Sequence, residues 1–304
     1  MDSLFITGAT GFIGRNLASK LDQTPYQKIF CLSRSEAGKS PQPESGVQMI
    51  KGDLLEPDSY AETLSSCRTV VHLAAVTGNA ARAEYFEINA RGAEALIRQS
   101  EIHEVENFLY VSTIAVKYRD KRRYYYAQSK ELGEEAVRKS RMRYLIVRPT
   151  IVIGHGGGPW QSLSKLARGP FVALPGDGKA RMQPIAIDDM VSCLITILNE
   201  NLFTNQIIEL GGPEEITCEQ FLKKIHRRYH GKEPAVLHLP LKPLIAILQG
   251  LEKIISKPPV NAGQLSVFWQ DSTAEPLNLN LGSAFSESRT TSIEQQIDRM
   301  IAYE

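Results

Sequence analysis

The sequence predicts an α/β protein with a doubly wound parallel sheet. Short apolar, β-rich runs alternate with helical patterns of about 10 to 20 residues, and this alternation is typical of parallel sheets covered by helices on both faces. The first run, Leu4 to Ile6, is followed by a glycine triplet and then by a helical pattern. The less regular C-terminal part predicts a smaller subdomain.

The glycine triplet has the spacing Gly-x-x-Gly-x-x-Gly and connects the first predicted strand to the first predicted helix. The first glycine permits a tight turn, the second lets backbone approach a pyrophosphate, and the third lets helix and strand pack closely. The N-terminus of the helix adds N–H groups that bind phosphate oxygens. The turn therefore predicts a Rossmann-type dinucleotide site. Its predicted cofactor-binding residues are Gly8, Thr10, Gly11, Phe12, Ile13 and Gly14.

The end of the second predicted strand bears on the choice of cofactor. This strand runs from Lys28 and ends in Ser33 and Arg34. An acidic side chain at this point binds the ribose 2′-hydroxyl of NAD, whereas a basic side chain favours the 2′-phosphate of NADP. Arg34, with Ser33 beside it, therefore predicts that NADP(H) is favoured over NAD(H). A solvated surface arginine is the alternative.

Two further strands end in residues that we place beside the cofactor. The third predicted strand runs into a turn at Gly52, and we expect Asp53 and Leu54 after it to lie near the adenine. The fourth ends in Leu73, Ala74 and Ala75, where small side chains leave room for a cofactor.

Within the fourth strand, His72 is interpreted as a packed residue. No second ligand stands at metal-binding spacing from this histidine in the sequence. We therefore expect a strand residue here and no metal site.

A later helical pattern, which opens with the run Tyr124 to Lys130, brings a phenol and an ammonium together. Tyr126 and Lys130 are four residues apart, so a helix places both side chains on one face. The positive charge favours the phenolate, and we expect it to lower the pKa of Tyr126 from about 10. Such a tyrosine can give or take a proton near neutral pH. A solvated helix face is the alternative.

A series of ordered motifs resembles the short-chain dehydrogenase/reductase superfamily, and more narrowly its extended and atypical branches, the NAD-dependent epimerase/dehydratase family. The resemblance implies that Tyr126 is the acid/base, that Lys130 holds the nicotinamide ribose, and that Thr113 hydrogen-bonds the reacting oxygen. It also implies that Asn89 helps to relay the proton and that Pro149 lies against the nicotinamide. The motifs are the glycine turn, Gly52-Asp53-Leu54, His72–Ala75, Asn89, Val111–Thr113, Tyr126 with Lys130, and Arg148-Pro149.

The later half resembles a narrower group, which contains the NADPH-binding accessory subunit of respiratory complex I and its bacterial relatives. Residues 174–189 and 258–265 carry this resemblance. Members of the group often lack a working Tyr/Lys pair, whereas this chain keeps both residues. Ala186 stands where many relatives carry His, and only twelve residues separate Thr113 from Tyr126. These departures leave the substrate open.

Arg181 aligns with an arginine that binds the substrate diphosphate in nucleotide-sugar epimerases of the extended branch. The following Met182 and Gln183 depart from the usual Asp-aromatic pair of those enzymes. A sugar nucleotide is therefore one candidate substrate, with Arg181 as its ligand. The alternative is an arginine that makes structural hydrogen bonds in a turn.

We expect two units of unequal size. Residues 1–153 and about 184–211 would form the NAD(P)-binding unit, and residues about 154–183 and 212–304 the smaller substrate-binding subdomain. A chain of 304 residues is long enough to bury a core in each.

The composition indicates a small-molecule ligand. The 35 Lys and Arg nearly balance the 34 Asp and Glu, so no overall field favours nucleic acid or an anionic membrane. The four cysteines are far apart and lack metal-binding spacing, which predicts buried free thiols in a reducing compartment and no bound metal. The first strand pattern begins almost at Met1, so we expect no leader and a cytoplasmic protein.

The segment Leu241–Ile255 is unusually apolar, but it is too short and too interrupted by Lys242, Pro243 and Glu252 to span a bilayer. We expect it to line the substrate pocket. A helix that binds a membrane edge or a protein partner is the alternative, because exposed apolar faces mark such sites.

Three functions stay open on this evidence. The first is an NADP(H)-dependent oxidoreductase that transfers hydride to or from an alcohol or carbonyl, with Tyr126 as acid/base. The second is a nucleotide-sugar epimerase or dehydratase with a tightly bound cofactor. The third is an NADPH-binding structural or assembly factor without turnover. The sequence also leaves a homodimer open.

Overall fold

A computed structural model describes residues 3–35, 46–254, 262–277, 284–285 and 288–304. The strands are β1 (Ser3–Thr7), β2 (Lys28–Ser33), β3 (Val47–Lys51), β4 (Thr69–His72), β5 (Asn107–Val111), β6 (Arg143–Pro149), β7 (Val152–Ile153), β8 (Val172–Pro175), β9 (Arg181–Met182), β10 (Ile185–Ala186), β11 (Gln206–Leu210), β12 (Ile216–Thr217) and β13 (Val236–Leu239). The α-helices are α1 (Phe12–Ala18), α2 (Ala61–Leu64), α3 (Arg82–Glu84), α4 (Gly92–Ile102), α5 (Tyr125–Lys139), α6 (Gly158–Ala167), α7 (Ile187–Asn199), α8 (Cys218–His230), α9 (Leu241–Ile254) and α10 (Ile293–Ala302).

Seven parallel strands form the central sheet, in the order β3-β2-β1-β4-β5-β6-β11. The chain leaves β1 toward β2 and β3 on one side, and continues through β4, β5, β6 and β11 on the other. In open parallel sheets, ligands bind outside the carboxyl ends of the strands where the strand order reverses. Here that point lies between β1 and β4, where Thr7 is opposite His72. The predicted doubly wound α/β fold is confirmed.

The sheet is buried on both faces because its strands alternate their side chains. Leu4 and Ile6 of β1 pack in a cluster that includes α1 and α7, whereas Phe5 between them packs in the cluster that includes α2, α4 and α5. This pattern arises because successive side chains of a strand point to opposite faces of the sheet. Apolar packing on both faces explains why the strands read as continuous hydrophobic runs.

A third apolar cluster, called the outer cluster here, lies beside the sheet and joins α6, α8 and α10. Thr217 begins α8 with a capping box that it makes with Gln220, which satisfies the first N–H groups of that helix. The predicted smaller subdomain would need an apolar core of this kind. The boundaries of the subdomain stay a prediction. The members of the outer cluster include Trp160, Leu163, Phe221, Leu222, Ile225 and Ile297.

The apolar helix α9 packs against the outer cluster through one face, which includes Leu244, Ile245 and Leu248. Its other face exposes Ile247 and Leu251. The last residue of the predicted apolar segment, number 255, lies outside the described residues. No helix in the described part of the chain combines the length and the apolar character that crossing a membrane needs.

The four cysteines are free and buried, as the sequence predicts. Burial raises the pKa of the Cys31, Cys193 and Cys218 thiols to about 12 and that of Cys67 to about 11. Within the described ranges, no group of three or more His, Cys, Asp or Glu side chains could hold a metal ion.

Candidate active site

The glycine turn brings the end of β1 against the segment that follows β4. Gly8 has φ +78°, and a Cβ on it would lie 2.5 Å from the Ala74 amide nitrogen. A Cβ on Gly14 would lie 2.1 Å from the Gly8 carbonyl oxygen. The Gly11 amide donates to the same carbonyl at 3.0 Å. Glycine is therefore required at 8 and 14, and the two segments that the sequence assigns to the cofactor, at 8–14 and 73–75, are in contact.

The end of β2 and the turn after β3 lie together at the same edge of the sheet. The Gly52 amide donates to the Ser33 carbonyl at 2.9 Å, and Ser33 is buried beside the exposed Arg34. The Asp53 carboxylate accepts a hydrogen bond from the Leu55 amide at 2.9 Å, which fixes the turn. The residues predicted to read the adenosine half of a dinucleotide are therefore neighbours in space.

Tyr126 lies in the first turn of α5 between two other tyrosines. Its ring centroid is 6.4 Å from that of Tyr85 and 5.9 Å from that of Tyr124. Burial raises the pKa of Tyr126 to about 12, and the side-chain hydrogen bond with Thr113 lowers it only in part. The predicted lowering of this pKa by Lys130 is therefore wrong, because desolvation outweighs the other effects.

Lys130 is buried one helical turn after Tyr126, with 1% of its surface exposed. Its Nζ lies 4.0 Å from the centroid of the Tyr110 ring and has no hydrogen-bond partner in the part of the chain that the structure describes. Burial lowers the pKa of Lys130 to about 7, against the opposing field of Glu134. A buried ammonium without a partner is costly, so its surroundings fit a ligand that supplies oxygen acceptors.

His72 is a packed residue, as the sequence predicts. Its Nδ1 is 2.6 Å from the Thr7 hydroxyl oxygen, and its ring stacks on Tyr110 with 5.5 Å between centroids. Burial, together with the charge of Lys130, holds the pKa of His72 well below its usual range. The imidazole is therefore neutral and structural.

Asn89 lies in a π-helical segment, Tyr85–Arg91, between α3 and α4; such segments are frequent at functional sites. Its Oδ1 accepts from the Val76 amide at 2.7 Å, and its Nδ2 donates to the Val76 carbonyl at 2.9 Å and to the Ser129 hydroxyl at 3.1 Å. Both amide hydrogens are thus donated to the protein. The side chain fixes the loop after β4 on α5, and the proton relay that the resemblance implies stays a prediction.

Glu134 is a feature of the site that the sequence analysis did not identify. It accepts hydrogen bonds from the Ser112 hydroxyl at 2.5 Å and from Nε and Nη2 of Arg148 at 2.9 and 2.6 Å. Ser112 precedes Thr113, and Arg148 precedes the buried Pro149 at the end of β6. The available signal was spacing, because a residue four positions after Lys130 lies on the same helix face.

Arg181 lies in β9, which pairs with β12, and its charge is already engaged. Its Nη1 is 3.0 Å from a Glu215 carboxylate oxygen, and its Nε is 3.5 Å from Asp271. The Arg181 amide also donates to Asp271 at 2.8 Å. Two carboxylates at the guanidinium would repel a diphosphate, so the local charges do not favour the predicted substrate contact.

Comparison with known proteins places this geometry in a family. The model of the NAD-dependent epimerase/dehydratase family matches residues 4–211. The chain belongs to this family. The match extends from β1 through β11 and includes both halves of the candidate site, so the resemblance carried by the ordered motifs is confirmed. The family indicates a nicotinamide cofactor.

Individual relatives are distant. The chain is 24% identical over 225 residues to NADH dehydrogenase (ubiquinone) 1 alpha subcomplex subunit 9, a mitochondrial protein of Dictyostelium discoideum, covering 72% of this chain and 62% of that protein. It is 28% identical over 191 residues to ceramide reductase of Caulobacter vibrioides, covering 62% and 59%. The chain thus spans about three fifths of the length of these relatives.

A solved structure shows the same fold. The UDP-glucuronic acid 4-epimerase from Bacillus cereus, in complex with UDP-glucuronic acid and NAD, superposes with a TM-score of 0.70 at 19% identity, covering 99% of this chain and 98% of that one. At this identity the likeness extends to the fold alone.

Proposed function

We propose that this member of the NAD-dependent epimerase/dehydratase family is an oxidoreductase that favours NADP(H) and transfers hydride between its cofactor and an alcohol or carbonyl. One observation carries the proposal. The Tyr126 phenol, hydrogen-bonded by Thr113, lies one helical turn before the buried Lys130. A phenol held in this way can transfer a proton to or from a substrate bound beside a nicotinamide.

The residues present fit a nicotinamide dinucleotide. The close approach at Gly8 and Gly14 leaves backbone available to a pyrophosphate, and the exposed Arg34 would bind a 2′-phosphate. Lys130 would donate to the nicotinamide ribose hydroxyls, which would give its Nζ the acceptors that it lacks among the described residues. When bound, the nicotinamide supplies or accepts the hydride.

The protonation state of Tyr126 suits it to act as a proton donor. A phenol with a pKa of about 12 is protonated at neutral pH, so it can donate a proton to the oxygen that becomes the alcohol. Similarity to a ceramide reductase supports the same direction.

The test is NADPH consumption by the purified protein with a panel of uncharged ketones and aldehydes. Tyr126→Phe is expected to slow turnover by about 10²- to 10⁴-fold, the usual contribution of a general acid, while NADPH binding persists. Tyr125→Phe is the matched control, because the adjacent ring contacts Phe86 and Arg82 instead. Undiminished turnover by the Tyr126 variant would show that another group donates the proton.

A sugar-nucleotide epimerase or dehydratase is the second candidate, favoured by the name of the family. The carboxylates on Arg181 weigh against it. Interconversion of a sugar nucleotide without net NADPH consumption, lost in Arg181→Ala, would establish this candidate in place of the reductase.

A third candidate is an NADPH-binding assembly factor, favoured by similarity to the Dictyostelium complex I protein. Ile247 and Leu251 on the exposed face of α9 would then contact a protein partner or a membrane edge. Cofactor binding without turnover, together with a partner whose binding is lost in Ile247→Asp, would support it. Light scattering in the same experiment reports whether the free protein is a homodimer.

A further inference from the structure

We propose that Glu134 is a positioning residue of this site, which fixes α5 to the ends of β5 and β6 and balances the charge of Lys130. The inference rests on the proposed function, since Lys130 matters as a ligand of the cofactor. Glu134 itself touches no reacting atom. It acts through the lysine and through the two strand ends.

The contacts of Glu134 join the three elements that carry the site. The side chain has 1% of its surface exposed and accepts from Ser112 on the β5 side and twice from Arg148 of β6. A bidentate arginine–carboxylate pair fixes geometry as well as charge. Thr113 directly follows Ser112, and Pro149 directly follows Arg148. A movement of Glu134 would therefore displace both residues relative to α5.

The charges around Lys130 show why the carboxylate matters. The titratable groups near it are neutral His72 from β4, Tyr110 from β5 and Tyr126 from α5, with Glu134 held by Arg148 from β6. Arg148 also forms an ion pair with Glu209, with Nη1 3.7 Å from Oε1. Glu209 in turn pairs with Lys117, whose Nζ is 3.0 Å from Oε2. Among the described residues the cluster includes the cations Lys117, Lys130 and Arg148 and the carboxylates Glu134, Glu209 and Glu275, with Glu131, which pairs with Lys121, also acting on Arg148.

This charge balance predicts how cofactor binding depends on pH. Burial lowers the pKa of Lys130 to about 7, and Glu134 opposes that effect. A neutral lysine donates more weakly to ribose hydroxyls, so NADPH affinity falls as pH rises through this pKa. Without the Glu134 charge the pKa of Lys130 is lower still, so NADPH affinity begins to fall at a lower pH.

The experiment is titration with NADPH from about pH 6 to about pH 9, comparing wild type with Glu134→Gln. Each unit by which the Lys130 pKa falls weakens binding by up to about tenfold at pH above both values. We expect the affinity profile of Glu134→Gln to move to lower pH. Glu135→Gln is the matched control, since it makes the same change at the next position of the helix and should follow the wild-type profile. A Glu134→Gln profile that coincides with wild type would overturn the inference.

A second measurement separates this inference from the proposed function. NMR titration of the labelled lysines in the cofactor-free protein reports the Lys130 pKa directly, and it should be lower in Glu134→Gln and near wild type in Glu134→Asp, which keeps the charge. If wild type binds no NADPH, the proposed function fails while this titration still decides the role of Glu134. If Glu134→Gln does not fold, the neutral pair Glu134→Gln with Arg148→Gln takes its place, with a smaller lowering expected because loss of the Arg148 charge favours the charged lysine. An unchanged Lys130 pKa refutes the inference.

Discussion

The glycine turn offers a sharp test, because Gly14→Ala adds one methyl group at the closest backbone contact of the site. The new Cβ would lie 2.1 Å from the Gly8 carbonyl oxygen and 2.7 Å from the Ala9 Cα. Neither neighbour is a flexible side-chain end, so the first turn of α1 must move away from β1. The variant therefore tests whether helix and strand approach as closely as the structure shows.

The magnitude follows from two opposing effects. Alanine stabilises a helix interior by about 0.5–1 kcal/mol relative to glycine, whereas overpacking against backbone costs about 1–3 kcal/mol, and more where nothing can yield. Because Gly14 lies in the first turn of α1 and both contacts are backbone atoms, the overpacking dominates, and we expect Gly14→Ala to be destabilised by about 2 kcal/mol or more. Gly250→Ala in α9 is the matched control, because its Cβ meets nothing within 4 Å and only the helix gain remains.

The assay is guanidinium unfolding followed by far-UV circular dichroism, with the free energy of unfolding obtained by linear extrapolation. Tryptophan fluorescence serves as a second probe, because Trp160 and Trp269 both pack in the outer cluster and report that unit. Gly14→Ala should unfold at lower denaturant than wild type, and Gly250→Ala at slightly higher denaturant. If Gly14→Ala matched or exceeded wild type, the close contact of α1 with β1 would be refuted.

Three further predictions concern the surroundings of the site. Asn89→Ala removes three hydrogen bonds and should lower the free energy of unfolding by about 2–4 kcal/mol, at about 1 kcal/mol for each bond. Unchanged stability would refute the hydrogen bonds between the Asn89 side chain and the Val76 backbone. Thr113→Val removes the bond that lowers the Tyr126 pKa, so NMR of labelled tyrosines should show a higher pKa; a lower value would contradict the assigned contact. The four buried thiols should react with a thiol reagent at mildly alkaline pH only after unfolding, and rapid reaction of the native protein would contradict their burial.

The sheet and the glycine turn could be predicted because local patterns determine them. Apolar runs of strand length, helical spacing and the glycine triplet each act within a few residues. Gly8 and Gly14 lie where the spacing places them, and Tyr126 precedes Lys130 by one turn. The same local rule could have pointed to Glu134, one turn further along α5.

The pKa of Tyr126 and the ion pairs of Arg181 could not be predicted, because they depend on residues far apart in the chain. Burial among segments far apart in the chain raises the pKa of Tyr126, and Tyr85, which lies 41 positions before it, adds to this rise. Asp271 is 90 residues from Arg181, and its carboxylate gives this candidate diphosphate ligand an ion-pair partner within the protein. Such contacts follow from the folded arrangement of segments, which spacing along the sequence does not encode.

The measurement that tests the account most directly is fluorescence titration of the purified protein with NADPH and NADH, in wild type and Arg34→Ala. A charge-assisted hydrogen bond contributes about 1.5–3 kcal/mol, which is about 10- to 150-fold in affinity. We predict that wild type binds NADPH more tightly than NADH and that Arg34→Ala loses this preference while still binding NADH. Failure of wild type to bind either cofactor would contradict the assignment of a dinucleotide site to the glycine turn.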